Sequence, residues 1–412
     1  MKFFNKSIIL VVFFSLFIIS CSDNEGPGGE QNNFTYLESS EYITSIQESI
    51  AKITFTFLAQ QYGEAAGMSD EVMTSASVYK ITYNTTFQDK KLVASGLICV
   101  PDNAGDYPLL SFQNGTNVEY NRAPSVDTNS DLYRMLESVA TMGFVVVIPD
   151  YPGFGESEQV LHPYLEKENT IPSLTDMLKA AREFVSQSQV DASLNDDLYL
   201  MGYSQGGWAT MQLQNEIEVA GLENYHLKAS ACGAGPYDLN YVNSMIVNRE
   251  TYPMPYFLAF LMHAYQTHRQ FPNELNEIFA EEYASKIPTL FDGMTSGGEI
   301  NTELTTQVSD LLQENYRLGY DTDEEYDSIQ IAFENNSIAA WNTSTPTRLY
   351  HGANDTFVPL ESSEKLKTDF ENLGVTNDQV KLIIIPDVNH QSGILPFGFA
   401  SLNWFLELKK SS

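Results

Sequence analysis

Gly202-Tyr203-Ser204-Gln205-Gly206 lies between two stretches of incompatible periodicity. The residues before it, DLYLMG (197–202), read as an apolar β-strand. Those after it, QGGWATMQLQNEIEV, read as an amphipathic helix. A strand that stops and a helix that starts within one or two residues force the residue between them into a sharp, strained turn. Small flanking glycines keep neighbouring side chains clear of that turn. The serine is thereby exposed at the end of a strand, where a base beside it can turn a poor nucleophile into a useful one. A plain helix-capping serine would need neither the strand nor the glycines.

The rest of the chain supplies an architecture for such a unit. Strands are expected at 77–84, 91–100, 108–113, 144–150, 197–202, 227–233, 347–351 and 380–386, and helices at 131–142, 171–189, 205–220, 360–373 and 396–409. The central strands are almost continuously apolar, as in a parallel sheet covered on both faces. The alternation points to a doubly wound α/β domain. It breaks over 238–345, a stretch rich in Tyr, Phe, Leu and acidic residues with helices expected near 254–268, 273–286, 302–317 and 323–335. An insertion of this length between two sheet strands reads as a helical cap over the strands' C-terminal edge, where such sheets bind ligands. The division expected is therefore core (41–237), cap (238–345) and core (346–412). A further helix is expected over 42–62.

Of the six histidines, His390 is the expected base, because it follows the strand VKLIIIP and precedes the last helix. His226 begins a strand, His263 and His268 fall in the insertion, and His351 precedes the best carboxylate. His162 is the competitor and a candidate for lining the site. The carboxylate should fall between nucleophile and base in the chain. Asp355, after the strand and Gly-containing turn of TRLYHGANDTFVP, meets that requirement, whereas Asp387 suits a local turn. A buried carboxylate there would fix the imidazole tautomer and stabilise the imidazolium. An oxyanion would need two donors: the backbone N–H of Gln205, and a group from Gln113-Asn114-Gly115-Thr116, with Thr116 first and Asn114 next. Tyr203, Tyr151 and Phe154 are candidate substrate-binding residues beside the turn.

Formal net charge is 22 − 54 = −32, which excludes nucleic acid as a natural partner and disfavours adsorption of the folded domain to an anionic membrane. Lys2 and Lys6 precede an apolar run at 8–19 that is too short to span a bilayer comfortably. Ile18-Ile19-Ser20-Cys21 resembles a bacterial lipobox, which implies a signal peptide at 1–20 and lipid on Cys21. Residues 22–33 (SDNEGPGGEQNN) have no apolar content, and a flexible tether is expected over 21–40. The expected location is the bacterial cell envelope, anchored to a membrane through Cys21 alone, with secretion as the alternative. Cys99 and Cys232 sit in apolar runs and read as buried thiols, with a disulfide between them left open. No spacing suggests a metal site, and no cofactor is called for. Oligomeric state is left open.

As a set, KLVASGLICVP, SFQNGT, PDYPGFGES, HPYL, DMLKAAR, GYSQGG, HGANDTFVP and NHQSG resemble the secretory lipase family of α/β hydrolases over about residues 77–240 and 345–409. The resemblance implies the α/β-hydrolase fold with a mostly parallel sheet, a Ser204–Asp355–His390 triad and a helical cap. Asn114 departs from it, standing where many hydrolases carry His before Gly. The activity expected is hydrolysis of a small-molecule carboxylic ester through an acyl-enzyme. The alternatives are an aminopeptidase- or prolyl-peptidase-type serine peptidase, and a non-catalytic lipid- or glycan-binding lipoprotein.

Overall fold

The computed structural model describes residues 34–187 and 189–411. The calls on 1–20, on Cys21 and on residues 22–33 lie outside them. The described residues from Thr35 onward form one compact unit around a nine-stranded sheet: β1 (Leu37–Ile46), β2 (Ala76–Phe87), β3 (Lys90–Pro101), β4 (Gly105–Gln113), β5 (Val145–Pro149), β6 (Ala192–Tyr203), β7 (His226–Gly233), β8 (Thr347–Gly352) and β9 (Val380–Ile385). Their order is β1-β2-β3-β5-β4-β6-β7-β8-β9. The pairs β1–β2, β2–β3 and β3–β5 are antiparallel. From β5 across to β9 every pairing is parallel. The α/β architecture with a mostly parallel sheet is as the strand pattern implies.

Side chains alternate across a strand, and β6 shows both faces. Tyr199, Met201 and Tyr203 enter a core shared with helices Glu48–Gln61, Asp131–Ser138 and Ile394–Ser411. Between them, Gly202 faces the helix that follows the turn: a Cβ on Gly202 would lie 2.3 Å from the carbonyl oxygen of Gly206. That helix, Gln205–Ala220, packs on β6 and β7.

All eight expected strands are present, and β1 is one more. It begins at Leu37, inside the stretch read as tether, and it takes the first turn of the helix expected over 42–62; the helix itself is Glu48–Gln61. Only Leu37 of β1 is buried, so the strand shows no two-residue apolar period. Instead it is fixed by pairing to β2 and by the Glu183 carboxylate, which accepts from the N–H groups of Thr35, Tyr36 and Leu37.

Between β7 and β8 the chain forms helices, from Leu239–Val247 to Asp327–Asn336, with isolated bridges but no named strand among the described residues. Asn336 ties the end of this insertion to the helix after Ser204: its carbonyl accepts from Trp208 Nε1 (2.8 Å) and Gln212 Nε2 (3.0 Å). Cys99 and Cys232 are buried and free. Among the described residues no helix is long and apolar enough to cross a membrane, and no cluster of ligating side chains could hold a metal ion.

Candidate active site

Ser204 follows β6, Asp355 follows β8 and His390 follows β9. Three segments distant in sequence therefore meet at the C-terminal edge of the parallel strands, where loops of such sheets gather ligands. Ser204 has φ 60° and ψ −121°, a left-handed conformation that costs a residue with a side chain free energy. The turn holds because Ser204 N–H donates to the Gly233 carbonyl of β7 (2.8 Å) while the Ser204 carbonyl accepts from Gly207 and Trp208. Gly206 is obligatory for space, since a Cβ there would fall 1.9 Å from the Gln113 carbonyl oxygen.

His390 Nε2 lies 2.8 Å from Ser204 Oγ, and its Nδ1 lies 2.7 Å from Asp355 Oδ2. An ionised carboxylate only accepts, so Nδ1 carries the proton and Nε2 is left to accept from the serine hydroxyl. Asp355 Oδ1 takes the N–H groups of Phe357 (2.9 Å) and Val358 (3.0 Å). Burial alone would raise its pKa, but hydrogen bonds from His351 and His390 and the electrostatic pull of the two imidazoles outweigh burial and hold the carboxyl well below the usual range. The loop bearing His390 is held by Tyr203, whose hydroxyl donates to the His390 carbonyl (2.7 Å) and whose ring packs on the imidazole. Phe357 packs on it as well.

Gln205 is the first residue of its helix, so its N–H has no acceptor within the helix and is free to meet an anion. The loop 114–116 runs alongside: a Cβ on Gly115 would be 3.9 Å from Ser204 Cβ. Thr116 Oγ1 pairs with the Tyr164 hydroxyl at 2.8 Å. Asn114 is held through both its side chain and its carbonyl. Its amide donates to the Pro149 carbonyl (2.8 Å), and its own carbonyl accepts from the Tyr151 hydroxyl (3.1 Å), so its side chain ties this loop to β5.

The cavity at Ser204 has a volume of about 40 Å³ and is lined by Tyr164 and Leu165, by Leu239, Val242, Asn243, Ile246, Tyr252, Phe257, Leu258 and Leu261 of the insertion, and by Pro236, Phe357 and Val358. None of the four expected substrate-binding residues lines it. Tyr203 and Tyr151 spend their hydroxyls on backbone carbonyls. Phe154 and His162 line a separate small cavity, with their rings 5.1 Å apart. His162 Nδ1 donates to the Pro152 carbonyl (2.8 Å), which leaves Nε2 to accept from Gln205 Nε2 (2.6 Å). Burial pushes this imidazole down to about 4, so at neutral pH it is uncharged, as that pairing requires. His162 thus holds the Gln205 side chain from behind.

Sequence reasoning missed His351, Tyr164 and Asn243. The first two lie in stretches already singled out, HGANDTFVP and HPYL, but their contacts come from tertiary packing. Asn243 sits in an insertion with no motif at all. Among the remaining candidates, His226 is exposed at the start of β7, and Asp387 is exposed with φ 59° in a turn.

The prolyl oligopeptidase family (Peptidase_S9) matches over residues 130–219, the stretch that carries β5, β6 and Ser204. A search of curated proteins finds no match. Among solved structures, a candidate hydrolase of Legionella pneumophila is similar at 26% identity, with 91% of this chain and 98% of that chain covered and a TM-score of 0.79. The rice cell wall degrading esterase LipA of Xanthomonas oryzae is similar at 24% identity, with 92% and 98% covered and a TM-score of 0.75. Candida antarctica lipase A follows at 14% identity, with 89% and 81% covered and a TM-score of 0.60. The chain belongs to the α/β-hydrolase superfamily and is a serine hydrolase.

Proposed function

We propose that the protein hydrolyses carboxylic esters through an acyl-enzyme, with Ser204 as nucleophile, His390 as general base and acid, and Asp355 as the carboxylate that orients His390. The observation that carries this reading is the unbroken hydrogen-bonded series from Asp355 through His390 to Ser204, opening onto a cavity whose lining contains no Asp, Glu, Lys or Arg. Ser204 Oγ attacks the ester carbonyl as His390 Nε2 takes its proton. The tetrahedral oxyanion is met by the N–H of Gln205 and a donor of the 115–116 loop. The C–O bond to the alcohol then breaks, and the alcohol leaves with the proton from His390. Water, deprotonated by the same nitrogen, attacks the acyl-serine, and the carboxylic acid departs as Ser204 recovers its hydrogen. The insertion acts as a cap, supplying apolar wall for the acyl group.

The match to the prolyl oligopeptidase family favours a second reading, cleavage of peptide or aminoacyl amide bonds. Recognition of a free amino terminus needs a carboxylate near the scissile bond, and the cavity lining offers none. Nitrophenyl esters from acetate to palmitate, run beside aminoacyl nitroanilides, discriminate the two. Ester turnover labelled out by a fluorophosphonate, and lost by about 10³-fold or more in Ser204→Ala, is expected. Ester cleavage that persists in Ser204→Ala removes the assignment, and amide turnover exceeding ester turnover moves it to the peptidase reading.

A further inference from the structure

The cavity at Ser204 offers about 40 Å³. A water-sized group needs about 10–15 Å³ of such space, so the cavity takes about three or four of them. Aromatic contacts show which end lies at the nucleophile. Phe257 packs on Phe357 with ring centroids 6.1 Å apart, and Phe357 packs on the His390 ring at 5.2 Å. Both phenylalanines are half-buried and line the cavity, so they mark its end beside Ser204 and His390. Phe257 lies near the start of helix Pro255–Thr267, and Leu261 follows it on the same helix, one turn and about 6 Å farther along the axis. Leu261 is 7% exposed, and Leu258 beside it 3%. The helix therefore carries the lining from a half-open aromatic mouth to a buried aliphatic stop.

That stop is held in place. One turn beyond Leu261, the Tyr265 hydroxyl donates to the Leu165 carbonyl (2.8 Å), and ahead of the helix the Tyr252 hydroxyl donates to the Phe357 carbonyl (3.2 Å). Leu165 and Phe357 are lining residues of the core side. Arg249 Nη1 adds a bond to the Thr356 carbonyl (3.0 Å). Withdrawing the helix to admit a longer chain would strand the fully buried Tyr265 hydroxyl, which is costly.

We propose that Leu261 sets an upper limit on acyl length, so that acetyl to butanoyl esters are cleaved and longer alkanoyl esters are rejected. The inference rests on the reading of Ser204 as the nucleophile of an ester hydrolase. A butanoyl group puts three carbons beyond its carbonyl, which fills about the space available, and a hexanoyl group puts five, which exceeds it. Leu261 takes no part in making or breaking bonds; it selects which acyl group reaches Ser204.

The test measures kcat/KM for nitrophenyl acetate, butanoate, hexanoate and octanoate, beside butanoate esters of alcohols of increasing length. Wild-type protein is expected to lose about tenfold or more between butanoate and hexanoate, with no such break in the alcohol series. Leu261→Ala is expected to raise the hexanoate-to-butanoate ratio by about tenfold. Wild-type turnover of hexanoate and octanoate at the butanoate level overturns the proposal without any variant, as does a break that follows the alcohol instead of the acyl group. A break that stays at the same length in Leu261→Ala, or in Leu261→Val if the alanine variant does not fold, also overturns it, and so does a parallel loss at every length. A short-chain fluorophosphonate on the same preparation separates the two levels. Absence of labelling at Ser204 sinks both readings. Labelling with butanoate turnover but a level acyl profile sinks this one alone.

Discussion

His351 and His390 approach one carboxylate oxygen, Asp355 Oδ2, from two directions, at 3.3 Å and 2.7 Å. His351 is fully buried. Its Nε2 is also 3.0 Å from the Val358 carbonyl, and its Nδ1 is 2.7 Å from Ser363 Oγ. With a carbonyl and a carboxylate both beside Nε2, that nitrogen carries the proton and Nδ1 accepts from the serine. His351 thereby fixes where the carboxylate stands, and a misplaced carboxylate misaligns His390, the proposed base. His351→Phe is expected to lower kcat by up to about 10²-fold with little change in KM, while His351→Gln, which restores an N–H, recovers most of the loss. Steady-state kinetics beside melting curves check this. A KM effect, or equal losses in both variants at equal stability, argues for a merely structural role. Chain order removes His351 as a base at the level of sequence, because it precedes Asp355. That order says nothing about where its ring turns, which depends on Ser363 and Val358 packing around it.

At the scale of elements, helix Lys167–Val185 begins at Glu166, a fully buried residue whose carboxylate accepts from Asn169. A helix N-terminus favours a negative charge, but here burial wins and pushes the carboxyl up to about 7. An unfolded glutamate loses its proton near 4.5, so the unfolded chain releases the proton first as pH rises. Stability therefore falls between roughly pH 4.5 and 7, by up to about 3 kcal/mol, and this group changes it no further above that range. Glu166→Gln keeps the acceptor for Asn169 and cannot ionise. Its melting temperature is expected to gain on the wild type from pH 5 to pH 8, and a gap independent of pH would refute the assignment. Elements were legible where burial imposed a period. The parallel strands β4 to β9 and the helix after Ser204 are apolar enough to be read directly. The edge strand β1 was not, because its position is set by partners in β2 and by Glu183, which leave no trace in its own composition. The insertion's short helices were legible only as a helical region, and so Asn243 could not be placed at the site beforehand.

At the scale of the whole molecule, a chain with a net charge of −32 gains nothing from electrostatic adsorption to an anionic bilayer. If it resides at a membrane, something else must hold it. We propose that lipid on Cys21 does so, with the polar stretch 22–33 as a spacer. Acyl chains hold by apolar burial, about 0.8 kcal/mol for each buried CH₂, and burial of that kind resists salt, whereas surface charge is screened by it. Full-length protein made in a bacterial host is therefore expected in the membrane pellet, retained through a high-salt wash and released by detergent. Its N-terminal peptide should begin at Cys21 and carry the mass of attached lipid. Cys21→Ser should lose that mass while its ester turnover per molecule is unchanged, since Cys21 lies far along the chain from every group at Ser204. A mature peptide that starts elsewhere, or one that starts at Cys21 without lipid, removes the anchor and leaves secretion as the account of the apolar run at 8–19.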